Sequence, residues 1–206
     1  MTKVLAFFGA FNPPTIAHVE SAKLALEKTQ YESVIFVPSK SSYVLNDQRK
    51  DYCFNDYERM NMLYGICETD HRFQVTDYEI DAPYQPRTYY TLHWMKSQNM
   101  SPSLLIGADQ FCAMEKHWKY VPEIAKEFGI VCLTRYGVST QDILASTPFY
   151  RDIAPYVHVI EMPSTYQFVS STYARYCLSN IQESKRELQK RLPDSVYRYL
   201  KERNYL

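Results

Sequence analysis

Residues 9–18 read GAFNPPTIAH and set Thr15 and His18 three positions apart, where an amphipathic run, VESAKLALEK, begins. A hydroxyl and an imidazole at that spacing face the same side of a helix's first turn. The opening amides of a helix lack intrahelical partners and attract anions. Gly9 closes an apolar run, VLAFF, and lets a ligand approach the main chain closely. Pro13 and Pro14 stiffen the loop and disfavour helix until Thr15, which is placed to be the N-cap. Together these groups form a cradle suited to phosphate. A capped helix with an incidental surface histidine would be written in the same letters.

VSSTYARYCL offers a second helix start, with Ser170, Ser171 and Thr172 at its head and Arg175 in its first turn. The helix dipole disfavours a cation there by roughly 0.3–1 kcal/mol, a penalty that a bound anion reverses. In LLIGADQF, Gly107 and Asp109 close another apolar run. A carboxylate there either accepts hydrogen bonds from ribose hydroxyls or caps the next helix. CLTRYG places Arg135 after a further run.

The elements that must position these groups alternate along the chain. Apolar runs at 4–8, 33–38, 72–80, 103–107, 129–134 and 156–162 read as strands, with helical stretches at 16–29, 56–68, 89–97, 110–127 and 141–147. Near-continuous Val, Ile, Leu and Phe suits buried parallel strands. The alternation predicts an α/β fold, a Rossmann-like parallel sheet flanked by helices, whose ligands bind beyond the carboxyl ends of the strands. Three helices beginning near Ser171, Gln182 and Pro193 form a small C-terminal helical part. The last would be capped by Asp194 or Ser195 and would bury Val196, Tyr199 and Leu200. The expected organisation is one domain over 1–206, with a core at 1–168 and the terminal helices at 169–206.

Composition narrows the partners. With 206 residues, 46% apolar and 22% charged, the chain is of ordinary globular make-up. Zero formal net charge gives no bulk attraction to nucleic acid or to an anionic membrane, so phosphate binding must be local. The cysteines at 53, 67, 112, 132 and 177 are odd in number and form no CxxC pair, which fits a reducing cytoplasm rather than a disulfide scaffold or a zinc site. No run approaches the roughly 20 apolar residues of a membrane span. The sequence specifies no oligomeric state.

Taken together, Thr15-Ile16-Ala17-His18 and Val169-Ser170-Ser171-Thr172-Tyr173-Ala174-Arg175 resemble the (H/T)xGH and ISSTxxR motifs of the nucleotidyltransferase superfamily. Within it, GADQF with a following tryptophan, the segment around Arg135 and the closing LPDSVYRYLKERNYL are most similar to the nicotinate-mononucleotide adenylyltransferases. That resemblance implies transfer of AMP from ATP to nicotinate mononucleotide, giving nicotinate adenine dinucleotide and pyrophosphate, with Mg2+ bound mainly through the ATP phosphates. It implies that His18 and Thr15 hold the reacting phosphates and that Gly9 and Phe11 lend backbone to ATP. Gly107 and Asp109 would take the adenosine ribose, and Ser171, Thr172 and Arg175 the distal phosphates. Thr88, Trp118 and Arg135 would serve the mononucleotide, Trp118 by stacking on the pyridine ring.

The chain departs from the family pattern at Phe8, Ala10 and Ala17, and Tyr90 stands where an aspartate is usual. The usual lysine after the second strand is missing, leaving Lys40, Arg49 or Lys50 to supply its cation. Nicotinamide mononucleotide or phosphopantetheine remains open as the acceptor, as does a non-catalytic nucleotide-binding module.

Overall fold

The structure, a computed structural model, describes residues 1–134 and 137–206. The chain begins β1 (Thr2–Gly9), α1 (Ile16–Lys28), β2 (Ser33–Pro38), α2 (Ser41–Asn46), α3 (Asp56–Cys67), β3 (Phe73–Val75) and α4 (Tyr78–Asp81). It continues α5 (Thr88–Ser97), β4 (Met100–Gly107), α6 (Ala108–Phe111), α7 (Met114–His117), α8 (Val121–Phe128), β5 (Ile130–Leu133), α9 (Thr140–Ser146) and α10 (Pro148–Ile153). It closes with β6 (Val157–Ile160), α11 (Ser164–Gln167), α12 (Ser171–Ser179), α13 (Ile181–Gln189) and α14 (Asp194–Glu202).

The strands form a six-stranded parallel sheet in the order β3-β2-β1-β4-β5-β6, the α/β arrangement that the alternation predicts. Register is regular: Ala6 lies beside Leu104, Leu104 beside Ile130, and Ile130 beside Val157. β2, SVIFVP, is buried along its whole length, as a strand covered on both faces must be.

Contacts group the chain into two compact units. The first comprises Met1–Phe8, Lys23–Ile35 and Pro86–Phe168. Its core includes Leu5, Leu92, Met95, Leu104, Phe111 and Ile124, all fully buried. The second comprises Gly9–Ala22, Phe36–Gln85 and Val169–Leu206. There Phe11, Phe36 and Phe73 meet edge to face in series, at 5.5 and 5.7 Å between ring centroids. α14 buries Val196 and Leu200, and Gly65 of α3 lets it approach closely, since a Cβ there would stand 3.3 Å from that of Ser195.

Two expected elements and one expected cap are corrected. The run 72–80 is a strand only over Phe73–Val75, because the Thr76 hydroxyl accepts the Tyr78 amide and Asp77 starts a helical turn that buries Glu79. The single helix at 110–127 is three helices. Pro122 cannot donate to a preceding carbonyl, so it sits at the start of α8, entered through Tyr120 in a left-handed conformation at φ 61°. The helix expected at 141–147 is present as α9, and α10 follows it, capped by the Thr147 hydroxyl with Pro148 first. At the C-terminus, Pro193 is the N-cap of α14, and neither Asp194 nor Ser195 caps it. Among the described residues no helix is long and apolar enough to cross a membrane.

Candidate active site

The loop after β1 is tied down carbonyl by carbonyl. Gly9 O accepts from the Ser39 amide at 3.0 Å, and Ala10 O from Arg59 Nη1 at 2.8 Å. Asn12 O accepts from Arg175 Nη1 and Pro13 O from the Ser171 hydroxyl, both at 2.8 Å. The fully buried Asn12 side chain donates to Tyr52 O at 2.7 Å and accepts from the Phe54 amide at 2.9 Å. The Phe11 ring lies over Gly9, where a Cβ would come within 3.1 Å of it, and meets the His18 ring at 5.1 Å. A side chain at position 9 would therefore displace the ring that backs the histidine.

Thr15 and His18 form half of a capping box. The Thr15 amide donates to His18 Nδ1 at 3.0 Å, and the Thr15 hydroxyl lies 2.8 Å from the same nitrogen. An amide can only donate, so Nδ1 is an acceptor and the neutral ring carries its hydrogen on Nε2. Thr15 is fully buried, while His18 is half-buried. Two of the three opening amides of α1 are taken up within the protein: Ile16 donates to Arg191 O at 2.8 Å and His18 to Thr15 O at 3.0 Å. The side-chain donor that this motif sets up is the imidazole.

At the start of α12 the side-chain cap is Ser170, whose hydroxyl accepts from the Tyr173 amide, which frees Ser171 to hold the β1 loop. Arg175 reaches Asn12 O with one nitrogen and the exposed Thr172 hydroxyl, at 3.3 Å, with the other. Burial pushes the Arg175 guanidinium below its ordinary value, partly offset by Cys53 and Asp51. Burial also pushes the Lys50 ammonium down, and the positive charge of Arg175 adds to that. Two cations sharing a partly desolvated neighbourhood are relieved by an anion. Of the three candidate cations, Lys40 is taken up by the carbonyls of Ile80 and Ala82, and Arg49 is exposed. Lys50 is half-buried beside Arg175.

Sequence reasoning missed Arg59. Its side chain is fully buried, and it donates to Phe54 O, Ala10 O, Ser39 O, the Ser41 hydroxyl and, at 2.5 Å, Asp56 Oδ1. The signal was present: with Met62, Leu63 and Ile66 on the buried face of α3, position 59 falls on that face too.

In the other unit, Gly107 is the N-cap of α6, and a Cβ on it would lie 2.7 Å from Asp109 Oδ1. The half-buried Asp109 carboxylate thus packs over bare backbone. Thr88 opens α5 and Trp118 follows α7, both half-buried. Among the described residues no hydrogen bond or ring contact joins either to Asp109. Tyr90 is half exposed, with its hydroxyl 3.0 Å from that of Tyr120. Arg135 lies outside the described residues.

The sequence profile of the cytidylyltransferase-like family matches residues 6–176. A protein of Clostridium botulinum (strain Okra / Type B1) named "Probable nicotinate-nucleotide adenylyltransferase" is 27% identical over 198 residues, 95% of this chain and 94% of its own. A protein of the same name from Clostridium tetani is 27% identical over 146 residues, 70% of this chain and 71% of its own. Among solved structures, Plasmodium falciparum nicotinic acid mononucleotide adenylyltransferase complexed with NaAD superposes with a TM-score of 0.74. That match covers 100% of this chain and 98% of the other at 20% identity, a likeness of fold.

Proposed function

This chain belongs to the cytidylyltransferase-like family, and from that premise we propose that it transfers AMP from ATP to nicotinate mononucleotide. The 5′-phosphate of the mononucleotide attacks the α-phosphorus of ATP. The bond to the bridging oxygen breaks, pyrophosphate leaves, and nicotinate adenine dinucleotide forms with no covalent enzyme intermediate. Such a reaction asks the protein for position and for charge stabilisation.

The observation that carries the reading is the Thr15–His18 pair. His18 Nδ1 is held as an acceptor, so Nε2–H is a fixed donor for the α-phosphoryl oxygens as negative charge builds on them. The buried Thr15 orients the ring rather than touching substrate. Arg175 and Lys50 take the distal phosphates, with Thr172 beside them, while Ser171 holds the loop from which Gly9 and Phe11 offer backbone. Asp109 accepts from the adenosine ribose over Gly107. Thr88, Trp118 and Arg135 are assigned to the mononucleotide. Magnesium enters with ATP as the partner of its phosphates. Among the described residues no three His, Cys, Asp or Glu gather as a metal site.

Incubation with ATP, magnesium and nicotinate mononucleotide, followed by chromatography and mass measurement, should yield the dinucleotide. Binding of ATP with no dinucleotide formed from either nicotinate or nicotinamide mononucleotide would contradict the assignment.

A further inference from the structure

Phe11 has φ 45°, a left-handed conformation that a bulky side chain seldom adopts. The ring is fully buried in the second unit, and a half-turn of the peptide before it leaves the side chain where it is. Rotating the 10–11 peptide by half a turn would bring φ of Phe11 to about −135°, ordinary extended backbone. The observed orientation is the costlier of the two, and it persists because something holds it. The group in place to do so is Arg59, whose Nη1 donates to Ala10 O at 2.8 Å. Its other nitrogens are fixed by Phe54 O, Ser39 O, the Ser41 hydroxyl and Asp56, so the fork cannot follow the carbonyl if that carbonyl turns.

In a trans peptide the C=O and N–H point opposite ways. We propose that Arg59 is a positioning residue for the phosphate loop: by holding Ala10 O it keeps the Phe11 N–H turned away from the guanidinium, as a backbone donor to the ATP phosphates. Released, the peptide relaxes and presents a carbonyl oxygen to the anion in place of an amide. The inference rests on the adenylyltransferase reading for the identity of the anion, and not for the orientation of the peptide.

Arg59→Lys keeps the positive charge opposite Asp56, but its single ammonium cannot serve the spread of acceptors that the planar fork reaches. Protein labelled with 15N-phenylalanine is titrated with ATP alone, the Phe11 amide being assigned by its loss in Phe11→Leu. In the wild type the Phe11 amide proton moves downfield on binding. In Arg59→Lys, still melting cooperatively, that movement is lost, and kcat/KM for ATP falls by about 10²-fold, the scale of one lost preorganised donor. KM for the mononucleotide stays within about twofold. Arg59→Gln, which retains a neutral donor, serves as the second variant if the lysine protein does not fold. The proposal is overturned if a folded variant shows the wild-type Phe11 response, or if both substrates lose affinity equally, as general loosening would produce. A Phe11 response to ATP in a protein that adenylylates no pyridine mononucleotide leaves the loop assignment standing and removes the proposed acceptor.

Discussion

With Asp109 in the role proposed for it, Gly107→Ala should cost ATP affinity without costing stability. Gly107 has φ −82° and ψ 151°, which alanine adopts freely. Removing a glycine from such a position stabilises by about 0.4–1 kcal/mol through the unfolded chain. The new Cβ, however, would stand 2.7 Å from Asp109 Oδ1, where ordinary contact begins at 3.4 Å. The carboxylate must therefore withdraw by about 0.7 Å or turn about its own side chain. A carboxylate so displaced would no longer meet the ribose hydroxyls that the proposed function assigns to it. A hydrogen bond to a charged group contributes about 1.5–3 kcal/mol, so KM for ATP should rise roughly ten- to a hundredfold. Melting temperature should hold or rise slightly. The assay is steady-state pyrophosphate release at varied ATP, on Gly107→Ala, Asp109→Ala and the double variant. Since the first substitution acts through the second residue, the double variant should be no worse than Asp109→Ala. Losses that simply add, or a normal KM in Gly107→Ala, would refute the coupling.

Three further outcomes are expected. His18→Ala should lower turnover by about 10²-fold with an unchanged melt, whereas Thr15→Val, which keeps the main-chain bond to Nδ1, should lose less; the reverse order in the same assay would remove the imidazole as the donor. Lys50→Ala should raise KM for ATP with little effect on the mononucleotide, and the difference should shrink with added salt; an unchanged KM at low salt would exclude Lys50 from the phosphate site. Asp70, hydrogen-bonded by Arg72, is lowered from 3.8 to about 2; a depressed carboxylate stabilises fully above its unfolded value and loses that contribution as pH falls through its folded one. Asp70→Asn should therefore melt lower than wild type at pH 6, with the gap closing towards pH 2. A gap that widens on acidification would invert the sign and contradict the pairing.

Much of the site could be read from local spacing, because local spacing creates it. Thr15 and His18 pair within one helical turn, and Arg175 reaches Thr172 within another. The strands at 33–38 and 103–107 were legible because buried parallel strands are written as unbroken apolar runs. What the sequence hid is long-range. That Ser171 bonds Pro13 O and Arg59 bonds Ala10 O, across 158 and 49 residues, follows only once the fold exists. The run 72–80 misled because alternating letters do not reveal that Thr76 will turn the chain through its hydroxyl. The Ile16 amide misled for a related reason: the carbonyl that takes it up belongs to Arg191, far along the chain.

The most direct test is the initial rate of pyrophosphate release by purified protein with ATP and magnesium, nicotinate and nicotinamide mononucleotides being compared in parallel. The account predicts release that depends on the mononucleotide, is higher in kcat/KM with the nicotinate form, and falls by about 10²-fold in His18→Ala. Folded protein that binds ATP yet releases no pyrophosphate with either acceptor would contradict it.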